Sequence, residues 1–355
     1  MFEELLARAP FSLKQAEKEE MMLGAMNDLA ARHYANCPGY ARIVDAAWGG
    51  LRRWERLADF PFLPVTIFKE QELASSTSRA IVMRSSGTTG QVPSRIVVDD
   101  ETAGRQSAAL VATFRHVLGE RRLPFLAIDS KSVLVETGLT ARGAGVLGMM
   151  KFGAKTVFAL DAALEPDLDA IRRFAAANGG APFLIFGFTF LVWSKLYQAF
   201  ADGEIDLSNA VLVHSGGWKK LESEKVSNPE FRAALGRRFG ITRIYNFYGF
   251  VEQIGSVFLE GEDGLLYPPN FTDVIVRRPG TWEPAEIGEE GVIQTLSLLP
   301  TSYPGHSVLT EDIGVIETVD AGAGGRLGKA LRIIGRAPKT ELRGCSDVVA
   351  ASVAA

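Results

Sequence analysis

Leu23, Met26, Ala30 and His33 recur on one face of a helical period, which predicts a helix across the first forty residues. Ser12, with Gln15 three residues on, is its candidate capping box, and CPGY at 37–40 closes it, because proline and glycine both break the pattern. Residues 60–68, FPFLPVTIF, are apolar but carry two prolines, which suits an extended packing segment better than a central strand. From residue 81 short β-like runs alternate with helical ones. AIVMR and RIVV flank the stretch RSSGTTGQVPSR at 84–95; then come a helical stretch near 101–118, FLAID at 125–129, KTVFAL at 155–160, FLIFG at 183–187 and AVLVH at 210–214. Short β runs separated by helices predict an α/β layer architecture with a mostly parallel sheet. After residue 255 the runs SVFL, FTDVIVRR, GVIQTLSL, VLTEDIGVIETV and LRIIG follow without helices, which predicts an antiparallel β subdomain with AGAGG at 321–325 as a hairpin tip.

Composition narrows the partners. The chain has 355 residues, 47% of them hydrophobic and 23% charged, ordinary for one large globular domain or a large domain with a smaller appendage. A net charge of −4 gives no sequence-wide basic field to draw nucleic acid or anionic lipid, so small molecules or other proteins are the expected partners. No apolar run approaches the ~18 residues that span a bilayer, and the charged N-terminus lacks the apolar block of a signal peptide. These features predict no membrane insertion and a cytoplasmic location. Cys37 and Cys345 are too few and too far apart for a disulfide framework, and Cys37, at a helix end before Pro38, reads as structural. His33, His116, His214 and His306 show no metal-ligand spacing with them, so zinc is not expected; His214 and His306 are at most pocket residues.

The chemistry-bearing stretches begin with Ser85, Ser86, Gly87, Thr88, Thr89 and Gly90. Glycines at unusual backbone angles turn N–H groups toward an anion, and hydroxyls add donors, so the stretch can grip phosphate; a solvated hairpin loop is the plain alternative. No Lys-Ser or Lys-Thr follows Gly90, and strands flank the loop on both sides, so it is not a P-loop. HSGGWKK at 214–220 places Gly216 and Gly217 after a strand, where open α/β sheets bind ligands. In NFYGFVEQIG at 246–255, Tyr248 beside Gly249 can stack on a flat base, and Glu252 can hold magnesium against phosphate oxygens. Asp312 in LTEDIG can accept hydrogen bonds from ribose hydroxyls. Each has a plain reading too: a core aromatic, a solvated charge, a turn residue.

Taken in order, RSSGTTG, YGFVEQ and TED ahead of GRAPKTELRG resemble the adenylate-forming enzymes, which join a carboxylic acid to AMP. Within them the chain is most similar to the acyl-protein synthetase component of bacterial bioluminescence fatty-acid reductases, and more distantly to phenylacetate–CoA ligases. FLPVTIFKEQEL, SGGWKKLE, TSYPG with LTEDIGVI, and RGC have counterparts there, from about residue 20 to 347.

The resemblance implies an adenylate-forming large-domain fold, α/β with a mostly parallel helix-flanked sheet and an antiparallel β subdomain. Residues 1–80 would be a helical and extended segment, 81–255 the nucleotide- and acyl-binding core, 256–335 the β-rich subdomain, and 336–355 a tail carrying Cys345. Ser85–Gly90 would grip the ATP phosphates, Gly216 and Gly217 would line the adenine pocket, and Tyr248, followed by Gly249, would stack on the base. Glu252 would be the Mg2+ carboxylate, Asp312 the ribose anchor, Arg336 a further ribose or phosphate contact, and Cys345 the thiol that carries the acyl group. FLIFGFTFLVW at 183–193 is a candidate wall for an acyl tail, or simply a buried strand entering a helix.

Larger members continue past this point into a small domain bearing a catalytic lysine, whereas here 11 residues follow Gly344, so that domain is expected to be absent. Pro338 and Lys339 stand where the family has acidic hinge residues; Lys339 and Arg343 are the candidates for the missing positive charge and would favour a reactive Cys345 thiolate. The implied activity is ATP-dependent, AMP-forming activation of a carboxylic acid, fatty by resemblance, with transfer through Cys345 to a reductase or carrier protein. Two alternatives stay open: a phenylacetate-type ligase using coenzyme A, and a non-catalytic nucleotide-binding scaffold of a reductase complex.

Overall fold

A computed structural model of the chain describes residues 1–76, 80–84, 93–135, 141–218 and 225–337. These form two units, one built from Met1–Thr113 and the residues from Gly249 onward, the other from Phe114–Tyr248. In the first unit a short helix α1 (Phe2–Ala7) precedes the long α2 (Gln15–Asn36). Its cap is not the Ser12 box. Ser12 donates its hydroxyl to Ala9 O at 2.8 Å, while the Gln15 N–H goes to the Asp320 carboxylate at 2.9 and 3.1 Å. A carboxylate from the far end of the chain thus satisfies an orphan donor of the first turn. CPGY ends α2 and also starts α3 (Pro38–Trp48), because Pro38 occupies the first turn, where its missing N–H leaves no bond unmade.

The apolar stretch at 60–68 divides in two. Leu63–Pro64 make a short strand, β1, and Ile67–Glu70 make one turn of helix, α4. β2 (Ala80–Arg84) and β3 (Arg95–Asp99) form an antiparallel hairpin, registered Ala80↔Asp99 to Arg84↔Arg95, as the two apolar runs predict. Residues 85–92 lie outside the described residues. α5 (Asp100–Leu118) follows directly, its last residues belonging to the second unit.

The second unit contains β4 (Leu123–Ser130), α6 (Ala141–Met150), β5 (Gly153–Leu160), α7 (Leu168–Asn178) and β6 (Phe183–Phe188). A helical turn α8 (Thr189–Leu191) runs into a wider π-helical turn over Val192–Tyr197, followed by β7 (Ala210–Ser215), α9 (Asn228–Phe239) and β8 (Arg243–Tyr248). The strands are parallel in the order β8-β7-β6-β4-β5. β6 and β7 are buried along nearly their whole length, which is why they read as unbroken apolar runs and not as alternating ones. Leu126, Ile128, Ile185 and Leu212 pack with Phe174 of α7 and Leu235 of α9. FLIFGFTFLVW is therefore a buried strand entering a helical turn, with Phe183, Ile185, Leu191 and Val192 in this core. α9 is bounded as its sequence dictates, by a Ser227–Glu230 capping box and by Gly240 at φ 75°.

In the remainder of the first unit β9 (Phe258–Glu260), β10 (Leu266–Tyr267), β11 (Thr272–Arg277), β12 (Glu290–Ser297), β13 (Ser307–Val319) and β14 (Lys329–Arg336) are antiparallel, ordered β11-β12-β13-β14-β10-β9. β1 adds to β13 in parallel. AGAGG forms the tip between β13 and β14, with Gly324 and Gly325 at φ 67° and 77°. α2 is fastened to this sheet by a buried ion cluster. Asp273 of β11 lies 2.8 Å from Lys329 Nζ and 3.7 Å from Lys18 Nζ, and Lys18 also donates to Pro268 O at 3.1 Å. Burial lowers the Lys18 amine to about 8 against the attraction of Asp273, and the two ammonium groups outweigh burial at Asp273 to lower its carboxyl.

Candidate active site

Three of the sequence candidates meet at the carboxyl end of the parallel strands. Ser215 of β7 is in register with Phe247 of β8 and donates its hydroxyl to Phe247 O at 2.7 Å. Gly216 and Tyr248 therefore leave paired strands side by side. Gly216 has φ 80°, which an L side chain rarely adopts, and a Cβ there would lie 3.0 Å from the Phe188 ring. A Cβ on Gly217 would meet nothing within 4 Å, and both glycines are exposed. Exposed glycine backbone beside the half-buried Tyr248 suits a flat heterocycle. Two residues before Gly216 is the buried His214, with Nδ1 3.0 Å from Thr189 Oγ1, which donates in turn to Ser215 O. Burial lowers the His214 imidazole to about 3, so it is neutral and supports the strand end as a packed side chain.

In the first unit, Gly249 is exposed and Glu252 is buried on a tight helical turn, Val251–Gln253. The Tyr303 hydroxyl donates to Glu252 O at 2.8 Å, and Gln253 Nε2 donates to Gly305 O at 2.8 Å and Thr295 O at 3.2 Å. Gly305 approaches so closely that a Cβ would lie 2.9 Å from Glu252 O and inside the Tyr303 ring contact. Burial raises the Glu252 carboxyl; the neighbouring Ser94 hydroxyl and the more distant Lys69 pull the other way and do not win. A dry carboxylate of this kind gains most from a bound cation. Among the described residues no group of three or more His, Cys, Asp or Glu could cage a metal.

Asp312 and Arg336 are opposite one another on β13 and β14, with Oδ1 and Nε 3.8 Å apart, Arg336 mostly in water. A cleft of about 370 Å³ lined by Ile313, Ile334, Gly335 and Arg336, with Pro279, Glu290 and Gly291, opens on the same strands. Ser85–Gly90 and Cys345 lie outside the described residues. Cys37 is buried, and burial raises its thiol, as befits a structural cysteine. Tyr303 and Gly305 of TSYPG and Gln253 of YGFVEQ, which hold the Glu252 turn, lie in motifs that give no sign of this role, since their bonds involve backbone carbonyls some fifty residues away.

The sequence pattern of the family described as acyl-protein synthetase, LuxE, matches residues 2–354. The chain belongs to that family. As an acyl-protein synthetase it is a ligase, and its relatives bear the matching name. The long-chain-fatty-acid–luciferin-component ligase of Vibrio harveyi is 23% identical over 88% of this chain and 83% of its own length. That of Aliivibrio fischeri is 22% identical over 74% and 70%. Among solved structures, 2-hydroxyisobutyryl-CoA ligase in an open conformation with 2-HIB-AMP and CoA superposes with a TM-score of 0.66 at 16% identity, covering 92% of this chain and 76% of that one. The same ligase in its thioesterification state gives 0.69 at 17%, over 92% and 70%. The acyl-protein synthetase thus has the adenylate-forming ligase fold that its motifs imply. No helix among the described residues is long and apolar enough to cross a membrane.

Proposed function

We propose that this acyl-protein synthetase uses ATP to activate a long-chain fatty acid as its acyl-adenylate and then loads the acyl group onto Cys345 for delivery to a partner protein. The observation that carries the reading is the side-by-side exit of Gly216–Gly217 and Tyr248 from paired strands, a floor for adenine. The acid's carboxylate oxygen attacks the α-phosphorus, the α–β bridge breaks, and pyrophosphate leaves. The Cys345 thiolate then attacks the acyl carbonyl, AMP leaves, and a thioester remains. Tyr248 stacks on the base, Asp312 accepts from the ribose hydroxyls with Arg336 beside it, and the Ser85–Gly90 loop holds the phosphates. Glu252 would hold Mg2+, which supplies neutralisation of phosphate charge. The names of the relatives favour a long-chain acid, and the family description favours a protein acceptor. The coenzyme A bound to the ligase of like fold favours CoA as the acceptor in the second reading.

The deciding experiment is pyrophosphate release with ATP over a panel of fatty and aryl acids, read beside intact mass. Release with long-chain acids and a mass gain of one acyl group support the proposal. Silence across the panel would favour a nucleotide-binding scaffold, an acyl gain that survives Cys345→Ser removes the carrier role, and thioester formation on free CoA promotes the second reading.

A further inference from the structure

The buried histidines His33 and His306 have no part in the chemistry above, yet His33 touches, and His306 ends, the segment that holds the Glu252 turn. Residues 300–306 form an arc whose inner side holds that turn, through the Tyr303 hydroxyl on Glu252 O and Gln253 on Gly305 O. Its other bonds run to α2, to Ser75 and to α5. His33 Nε2 lies 3.2 Å from Pro300 O and can only donate there, which leaves Nδ1 to accept from the Ser75 hydroxyl at 2.8 Å. Ser75 N–H in turn donates to Ser302 O at 2.7 Å. The Thr102 hydroxyl accepts the N–H groups of Thr301 and Ser302 at 3.2 and 3.0 Å. At the other end the His306 ring stacks on His33, centroids 4.9 Å apart and 26° from parallel, with Nε2 3.3 Å from the Tyr40 hydroxyl. A histidine kept only to fill space would be replaceable by phenylalanine at no cost to the arc; His33 instead fixes two polar groups with its two nitrogens in one defined tautomer.

We infer that His33, backed by His306 and Tyr40, is a positioning residue for Glu252: it fixes the 300–306 arc and thereby aims the carboxylate at its cation. This rests on the reading of Glu252 as the magnesium carboxylate. A misaimed carboxylate loses affinity for the cation without altering the adenine floor or the acid's own contacts, so the effect must show in magnesium dependence specifically.

The test titrates Mg2+ into the full chain with ATP and follows ATP binding calorimetrically, with ATP binding in EDTA and thermal melting alongside. His33→Phe is expected to raise the Mg2+ midpoint about tenfold, the factor that ~1.4 kcal/mol of misalignment gives, while ATP affinity in EDTA stays within twofold. His33→Gln, which offers a donor and an acceptor of its own, should restore the midpoint. An unchanged midpoint in folded His33→Phe overturns the inference, as does a glutamine variant as impaired as the phenylalanine one. Should His33→Phe not fold, Tyr40→Phe removes one hydroxyl at the back of the stack and is expected to raise the midpoint about threefold; no change there is equally fatal. If the wild-type protein binds ATP without regard to Mg2+, the reading of Glu252 fails first and takes the inference with it.

Discussion

Replacing Glu252 by glutamine separates a binding role from a structural one, because the two predict opposite changes in stability. The side chain is 95% removed from water, and burial holds its carboxyl above the ordinary range. Among the described residues it forms no ion pair, so Glu252→Gln removes a desolvated charge, keeps the shape, and keeps a group able to bond Ser94. The Tyr303 bond is to the backbone carbonyl and survives the change. Stability should therefore hold or rise by up to about 1 kcal/mol, the scale on which relief of one poorly solvated group registers. Were Glu252 instead half of a buried pair, the same change would cost about 3–5 kcal/mol. Activity should move the other way. Loss of one preorganised electrostatic contact typically costs ~10²–10³ in rate, about 2.7–4 kcal/mol. Adenylation is followed as acid-dependent pyrophosphate release at saturating ATP across a Mg2+ titration, and stability as chemical denaturation at pH 7. A variant that loses 3 kcal/mol of stability, or that keeps its rate within threefold, refutes the reasoning.

Two further outcomes follow from buried charge. His33 and His214 are held neutral, their imidazoles lowered to about 3 against an unfolded value of 6.5, and His306 is displaced in the same direction. Below pH 6.5 the unfolded chain binds protons that the folded chain refuses, so stability falls as pH falls, by about 2 kcal/mol for each of the first two between pH 7 and 5; denaturation showing a total loss under 2 kcal/mol would contradict it. Asp273→Ala leaves Lys18 buried without its ion-pair partner and Lys329 with Glu19 alone, and should cost about 3–5 kcal/mol, with a loss under 1 kcal/mol in denaturant showing that the cluster does not fasten α2.

What the sequence discloses follows from what kind of contact each feature makes. β6 and β7 are legible because burial on both faces demands an unbroken apolar run, and the β2–β3 hairpin because its two strands enclose an obvious turn composition. The start of α2 is not legible: Ser12 and Gln15 have capping-box spacing, but the acceptor is Asp320, held at φ 57° in the β13–β14 tip, and no local pattern points there. The same holds at the site. Gly216, Gly217, Tyr248 and Glu252 are singled out as candidates by residue type and order, whereas Tyr303, Gln253 and Thr102 act through backbone groups distant in sequence. His33 shows in the sequence as one member of a helix face and gives no hint of the two bonds it makes.

The contrast between two buried acids of the first unit bears on which of them is chemical. Asp273 and Glu252 are both withdrawn from water, and burial pushes both carboxyls up. At Asp273 two ammonium groups reverse the push, and Gln15 Nε2 adds a hydrogen bond at 2.9 Å to one carboxylate oxygen, so the charge is balanced by cations of the protein itself. At Glu252 the push prevails, although the backbone around it is fixed by Tyr303, Gln253 and Gly305. Of the two, Glu252 is the acid whose charged form burial disfavours and a cation from outside the chain would stabilise most. Asp273 is then a staple, and Glu252 the acid that magnesium and nucleotide would complete under the proposed function.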